Sequence, residues 1–235
     1  MNIKPFKNDI GASVDCDLRT IKIDEVEKIK NAINSYGVIC LRNQTMSPDE
    51  YLKFAGLLGK IKDYPMLKDL EGYKGITVVE RKEGDKGKSY GEGWHTDSSY
   101  LDIVPRYTCL KGIIVDKNQG ETLFASQFAS YEALDKKMKE KIQNLVGIFS
   151  SAGPISKTRI EREAERGTGK AKNFIAEHPI VRKVKNKKAL YLSPGHTIAI
   201  KNLGNKDSEN LLSYLFNHQT KKEFQMSFFW EKNSM

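Results

Sequence analysis

The chain has 235 residues, 39% of them hydrophobic and 29% charged, enough for one large domain or two small ones with a proper buried core. No apolar run approaches the ~18 residues that span a bilayer. The opening Met1-Asn2-Ile3-Lys4-Pro5-Phe6 has no apolar signal core, so no membrane partner and a cytoplasmic location are expected. The net charge of +9 raises the question of a nucleic-acid partner. The lysines, however, fall in small scattered clusters (Lys136-Lys137, 185–188, Lys221-Lys222) with no interleaved aromatic residues to stack bases. They read as a solvated surface, and no nucleic acid is expected.

Residues 1–22 read as a short β-rich opening, with a strand expected from Ala12 toward Leu18. Asp24 is placed to cap a helix over 25–36, whose apolar stripe is Val26, Ile29, Ala32 and Ile33 and which Gly37 ends. Residues 38–41 form a short apolar strand. Ser47-Pro48-Asp49-Glu50 then supplies a cap, a first-turn proline and a capping box for a helix over 51–58 that stops at Gly59. A strand over 76–79 and a charged, glycine-rich loop over 81–90 lead to the segment of greatest interest. Beyond it, 107–115 is expected as a strand, 116–120 as a turn and 122–126 as a strand. Ser130 is expected to cap a helix over 131–134, followed by another over about 136–145. The charged stretch 156–172 reads as a flexible flap. Its Gly167-Thr168-Gly169-Lys170 end resembles a phosphate loop but lacks the required spacing, so a nucleotide site is rejected. Two strands, 178–182 and 189–192, are joined by the 185–188 turn, and 193–196 turns the chain again. Ser208 is expected to cap a helix to Asn217, and a last strand over 224–230 puts Phe224, Met226, Phe228 and Trp230 on one apolar face.

About eight short strands, with helices early and on the flanks, suggest a jelly-roll-like double sheet in a single domain over 1–235. Cys16, Cys40 and Cys109 are odd in number and far apart, so reduced thiols are expected, with Cys40 and Cys109 buried in strands.

The segment of interest is Trp94-His95-Thr96-Asp97-Ser98-Ser99-Tyr100. On an extended strand His95 and Asp97 leave the same face, and an imidazole nitrogen and a carboxylate oxygen held so can take adjacent positions on one metal ion. They are two thirds of the two-His, one-carboxylate set of non-haem Fe(II). The same spacing also fits a plain imidazole–carboxylate hydrogen bond.

The wider pattern resembles the Fe(II)/2-oxoglutarate-dependent taurine dioxygenase family (the taurine/2,4-D dioxygenase group). The resemblance rests on five ordered blocks: 37–44 followed by Ser47-Pro48-Asp49-Glu50, then Trp94-His95-Thr96-Asp97, and Gly120-Glu121-Thr122-Leu123-Phe124-Ala125. The block 178–182 comes next, and Ala189-Leu190-Tyr191 with Pro194-Gly195-His196-Thr197 completes the set. It implies a double-stranded β-helix core in which His95 and Asp97 ligate Fe(II) and Thr122 donates to a carboxylate of 2-oxoglutarate. His196 falls where relatives often place an aromatic ring near the substrate. It is either a polar contact or a flat packing surface. Tyr100 and Trp94 are either pocket wall or core, and His178 is a structural histidine rather than a ligand. The implied reaction hydroxylates a small, anionic organic substrate with O2 and releases succinate and CO2. A homo-oligomer is expected from the family alone.

Two departures accompany the resemblance. The family's second iron histidine and the arginine for 2-oxoglutarate follow the last strand, and Met235 precedes both. The core is therefore expected to be incomplete at the C-terminus. The alternative is a truncated or inactive relative serving as a non-catalytic binding protein. Of the remaining histidines, His178, His196 and His218, none is in the matching position. Tyr64-Pro65-Met66-Leu67 and Gly91 stand where taurine-specific relatives carry sulfonate-reading groups, so taurine itself is not expected.

Overall fold

The computed structural model describes residues 1–64, 67, 69–84, 91–116, 120–154 and 173–235. The flap expected over 156–172 lies outside the described residues, as do most of the 81–90 loop, Pro65, Met66 and the middle of the 116–120 turn.

The first half of the chain runs β1 (Asn2–Pro5), β2 (Ala12–Asp15), α1 (Ile23–Tyr36), β3 (Ile39–Cys40), α2 (Pro48–Leu58), β4 (Asp69–Leu70) and β5 (Tyr73–Thr77). There follow β6 (Thr122–Ala125), α3 (Gln127–Glu132), α4 (Lys136–Ile142), β7 (Val146–Ser150) and β8 (Ile175–Pro179). The last elements are β9 (Val181–Val184), β10 (Lys187–Leu190), β11 (Thr197–Ile200), α5 (Asn205–Gln219) and β12 (Gln225–Phe228). Among the described residues these twelve strands form five small sheets, more and shorter ladders than the eight strands expected. No described helix is long and apolar enough to cross a membrane.

The chain groups into two compact units. The first comprises Met1–Val78, Tyr107–Ser126 and Lys222–Met235. Its β1 and β2 pair antiparallel, β3 adds in parallel to β2, and β12 pairs antiparallel with β6. The amphipathic stripe of α1 does what its period requires: Val26, Ile29 and Ala32 are buried, among Leu18, Leu41 and Phe54. The helix begins two residues before the expected start. Lys22, not Asp24, is the N-cap, because the Glu25 carboxylate accepts from the Lys22 backbone N–H at 3.0 Å. Gly37 closes it at φ +83°, a conformation that favours glycine. α2 matches its expected capping box, with Ser47 Oγ accepting from Glu50 N at 3.2 Å and Glu50 accepting from Ser47 N at 2.8 Å.

The 107–115 stretch departs from its expected strand and forms no ladder. Its backbone is tied at Gly112, where Gly112 N donates to Ser234 O and Asn233 N donates to Gly112 O, and at Cys109, whose carbonyl accepts from Tyr51 Oη at 2.6 Å. Cys40 is buried on β3, but Cys109 is half-buried outside any strand. All three cysteines are free, and burial pushes each thiol up to about 11.

The second unit comprises Val79–Arg106 and Gln127–Lys221. β7 lies between β11 and β8, antiparallel to both, and β9–β10 is an antiparallel hairpin. The expected strand over 178–182 is split at Ile180, which is fully buried and receives Tyr191 N on its carbonyl at 2.8 Å. Ile142, Leu190, Ile200, Leu211 and Leu215 complete the core with it.

Neither serine cap expected in this unit is a cap. Ser130 lies inside α3, and α4 is capped by Asp135, whose carboxylate accepts from Met138 N at 2.7 Å. Ser208 lies in the first turns of α5, and its Oγ accepts from Ile200 N of β11 at 2.8 Å, joining helix to sheet.

Candidate metal centre

Residues 94–97 are not the expected strand: no ladder forms there, and the chain turns from Asp97 onward, with Ser98 at φ +52° and Leu101 N donating to Ser98 O at 3.0 Å. The pair converges all the same. His95 Nε2 lies 3.2 Å from Asp97 Oδ1. Gly93, at φ +97°, turns its carbonyl to accept from His95 Nδ1 at 2.8 Å. A carbonyl oxygen only accepts, so Nδ1 carries the hydrogen and Nε2 is the nitrogen left to face a ligand, as in metal sites where a backbone carbonyl orients the imidazole.

These donors fit a metal ion. An octahedral ion with bonds of about 2.1 Å holds neighbouring donor atoms about 3.0 Å apart, close to the separation seen. Imidazole plus carboxylate suits Fe(II) or Mn(II) better than a thiolate-preferring ion, and none of the three cysteines lies in this unit. Without metal, the protonated Nε2 donates to the Asp97 carboxylate, and this bond raises the pKa of His95, with burial opposing.

The turn at 193–196 meets this segment. Ser193 Oγ accepts from Thr96 N at 3.1 Å, and Gly195 N donates to Trp94 O at 3.1 Å. His196 Nδ1 lies 3.2 Å from Thr96 O and 3.1 Å from Ser99 Oγ. Its ring stands edge-on to Tyr100 at 5.0 Å and to His95 at 6.2 Å between centroids. The structure thus brings four candidates together: His95, Asp97, Tyr100 and His196. Tyr100 is 2% exposed, wedged between His196 and Phe174, and His196 is 7% exposed.

The other histidines are committed elsewhere. His178 Nε2 donates to Leu101 O at 3.0 Å and Nδ1 accepts from Arg182 at 3.3 Å, a pair of bonds that only the neutral ring makes. Burial, reinforced by Arg182, lowers its pKa accordingly. His218 Nε2 donates to Ser130 O at 2.7 Å. Among the described residues no group of three or more His, Cys, Asp or Glu is placed to hold one ion.

Thr122 opens β6 in the first unit, where its Oγ1 accepts from Trp230 Nε1 at 2.8 Å. Three participants escaped the sequence reading: Ser99, Ser193 and the Gly93 carbonyl. Ser193-Pro194-Gly195-His196 announces a turn, but nothing local says which segment that turn grips.

A sulfate ester dioxygenase of Pseudomonas putida, described as alpha-ketoglutarate-dependent, is 27% identical over 98% of this chain and 78% of its own length. An alkylsulfatase of Acinetobacter baylyi is 26% identical over 100% of this chain and 76% of its own. Among solved structures, a taurine dioxygenase from Burkholderia xenovorans superposes with a TM-score of 0.81 at 23% identity, covering 99% of this chain and 77% of that one. AAD-2, solved with Mn(II) and N-oxalylglycine, gives 0.83 at 23% identity over 100% of this chain and 87% of that one. At that identity the likeness speaks for the fold. The family model described as taurine catabolism dioxygenase TauD, TfdA family matches residues 2–235; the chain belongs to that family and is an enzyme of its dioxygenase class.

Proposed function

We propose that this enzyme is an Fe(II)- and 2-oxoglutarate-dependent dioxygenase that hydroxylates a small, anionic organic molecule and releases succinate and CO2. The observation that carries the reading is the 3.2 Å approach of His95 Nε2 and Asp97 Oδ1, with His95 Nδ1 committed to the Gly93 carbonyl. Fe(II) at that pair would supply the binding and activation of O2 that no side chain provides. His95 and Asp97 fix two neighbouring positions on the ion and exchange the Nε2 proton for it. Thr122 is the proposed donor to a carboxylate of 2-oxoglutarate. The bond from Trp230 takes one of its acceptor lone pairs, and the hydroxyl hydrogen is the group offered to an anion. His196 and Tyr100 are proposed on the substrate side, the Tyr100 ring backing the imidazole edge-on. The relatives' names support an anionic substrate, since they include sulfate ester, sulfonate and 2,4-dichlorophenoxyacetate dioxygenases. The resemblance supports a double-stranded β-helix core.

The test is succinate formation with Fe(II), O2 and 2-oxoglutarate over a panel of alkyl sulfates, alkylsulfonates and aryloxyacetates. Turnover is expected in the parent and lost in His95→Ala and Asp97→Ala; equal turnover in parent and variants refutes the assignment. The alternative reading of the sequence is a non-catalytic binding protein. That reading predicts no succinate with any member of the panel.

A further inference from the structure

The ligand pair sits on a segment that has no strand to hold it, yet its two side chains meet at 3.2 Å. Two residues on one strand keep a fixed relation because the ladder fixes the peptides between them. Here three backbone groups of the segment are held from outside it: Trp94 C=O, Thr96 N–H and Thr96 C=O. Each finds its partner in the 193–196 turn: Gly195 through its N–H, Ser193 through Oγ and His196 through Nδ1, at 3.1, 3.1 and 3.2 Å. We propose that Ser193 and His196 are positioning residues for the metal pair, the 193–196 turn taking the place of a neighbouring strand and setting the separation of His95 Nε2 from Asp97 Oδ1. This rests on the reading of His95 and Asp97 as metal ligands.

The turn is built to be stiff. Ser193 is fully buried, and its own N–H donates to Thr197 Oγ1 at 2.9 Å. His196 N and Thr197 N both donate to Ser193 O, at 2.9 and 2.7 Å. His196 O accepts from Ser150 N of β7 at 2.8 Å, which ties the turn to the middle of the sheet. Behind it the chain passes so close at Gly153 that a β-carbon there would stand 2.6 Å from Gly195 O. A turn fixed on both sides can impose its geometry on the segment it grips. His196 thereby acquires a role apart from substrate: a carbonyl only accepts, so its Nδ1 donates to Thr96 O.

The experiment is titration of the purified chain with Mn(II), reading free Mn(II) by electron paramagnetic resonance at a temperature where circular dichroism shows every variant folded. The parent is expected to bind in a manner that His95→Ala abolishes. Ser193→Ala removes the acceptor of Thr96 N and is expected to weaken Mn(II) about 10-fold or more, the loss typical of groups that orient metal ligands. Ser208→Ala is the control for general weakening. It deletes the same kind of bond, hydroxyl to backbone N–H, in the same unit but not at the pair, and it is expected to leave the Mn(II) affinity within about 2-fold of the parent, far from the 10-fold scale of an orienting group. His196→Phe keeps a flat ring against Tyr100 and loses the Nδ1 bonds. It too is expected to weaken Mn(II), whereas a residue serving substrate alone would not. This second variant decides the matter if Ser193→Ala does not fold. Parent-like affinity in Ser193→Ala and His196→Phe, or an equal loss in Ser208→Ala, overturns the proposal. A parent that binds no Mn(II) through His95 overturns the metal-pair reading itself and the positioning role with it.

Discussion

His95 carries two opposed demands, and they can be separated by pH. The hydrogen bond to the Asp97 carboxylate holds its pKa above the ordinary histidine value, with burial opposing, so the metal-free imidazole keeps its second proton to higher pH than a free histidine would. A raised folded pKa means this contribution to stability is fully present below the unfolded value of about 6.5 and fades as pH rises through the folded one. Metal binding runs the other way, because the ion takes the lone pair the proton occupies. The expected outcome is a Mn(II) affinity that tightens about tenfold per pH unit up to the raised pKa and levels off above it. In the metal-free protein Asp97→Asn removes the charge and should lower the His95 pKa read by NMR titration of its ring protons; an unchanged pKa would show that Asp97 is not what raises His95. The residue types and spacing of this pair were legible in the sequence, since Trp94-His95-Thr96-Asp97 is contiguous. Its support was not: Ser193 and His196 lie about a hundred residues away, and no local pattern encodes a bond of that span.

At the scale of elements, what was legible was chemistry contained within a few residues. The Ser47-Pro48-Asp49-Glu50 box and the Gly37 stop are local devices, and the structure contains both. β7 went unread because four apolar or small residues after a helical run have no period that separates strand from helix; only pairing with β8 and β11 decides it. The 107–115 stretch failed in reverse. Its β-branched residues fit a strand, but Ile113 and Ile114 are exposed, and the bonds of Gly112 to 233–234 do not extend into a ladder. Serines show the same limit. Ser47 caps, whereas Ser208, read as a cap, bonds Ile200 of β11. The two should therefore respond differently. Ser47→Ala loses an exposed capping bond and should lower stability by about 1 kcal/mol. Ser208→Ala leaves a buried N–H unpaired and should lower it by about 1–3 kcal/mol. Urea midpoints at constant slope measure both, and a smaller loss for Ser208→Ala would mean that water or a rearranged neighbour satisfies Ile200 N.

For the molecule as a whole, the location of the metal pair predicts where metal stabilises it. The pair and the core of Ile142, Ile180 and Leu215 belong to the same unit, and the route between them is short. The 94–97 segment is gripped by the 193–196 turn, which runs directly into β11, and β11 pairs with the central strand β7. Opening that sheet would separate the groups that hold the two ligands in register, so an ion bound there opposes unfolding of the entire unit. Free Mn(II) at about 100 times its dissociation constant should contribute about 2.7 kcal/mol, read as a higher thermal midpoint than in EDTA. Amide exchange should slow at Ile148 and Phe149 in β7 and at Ala199 in β11, well away from the ion. His95→Ala should show neither effect. If the midpoint rises equally in parent and His95→Ala, the ion binds elsewhere. If the midpoint rises through His95 while β7 and β11 exchange as before, the grip of the 193–196 turn does not transmit the ligand's binding energy to the sheet.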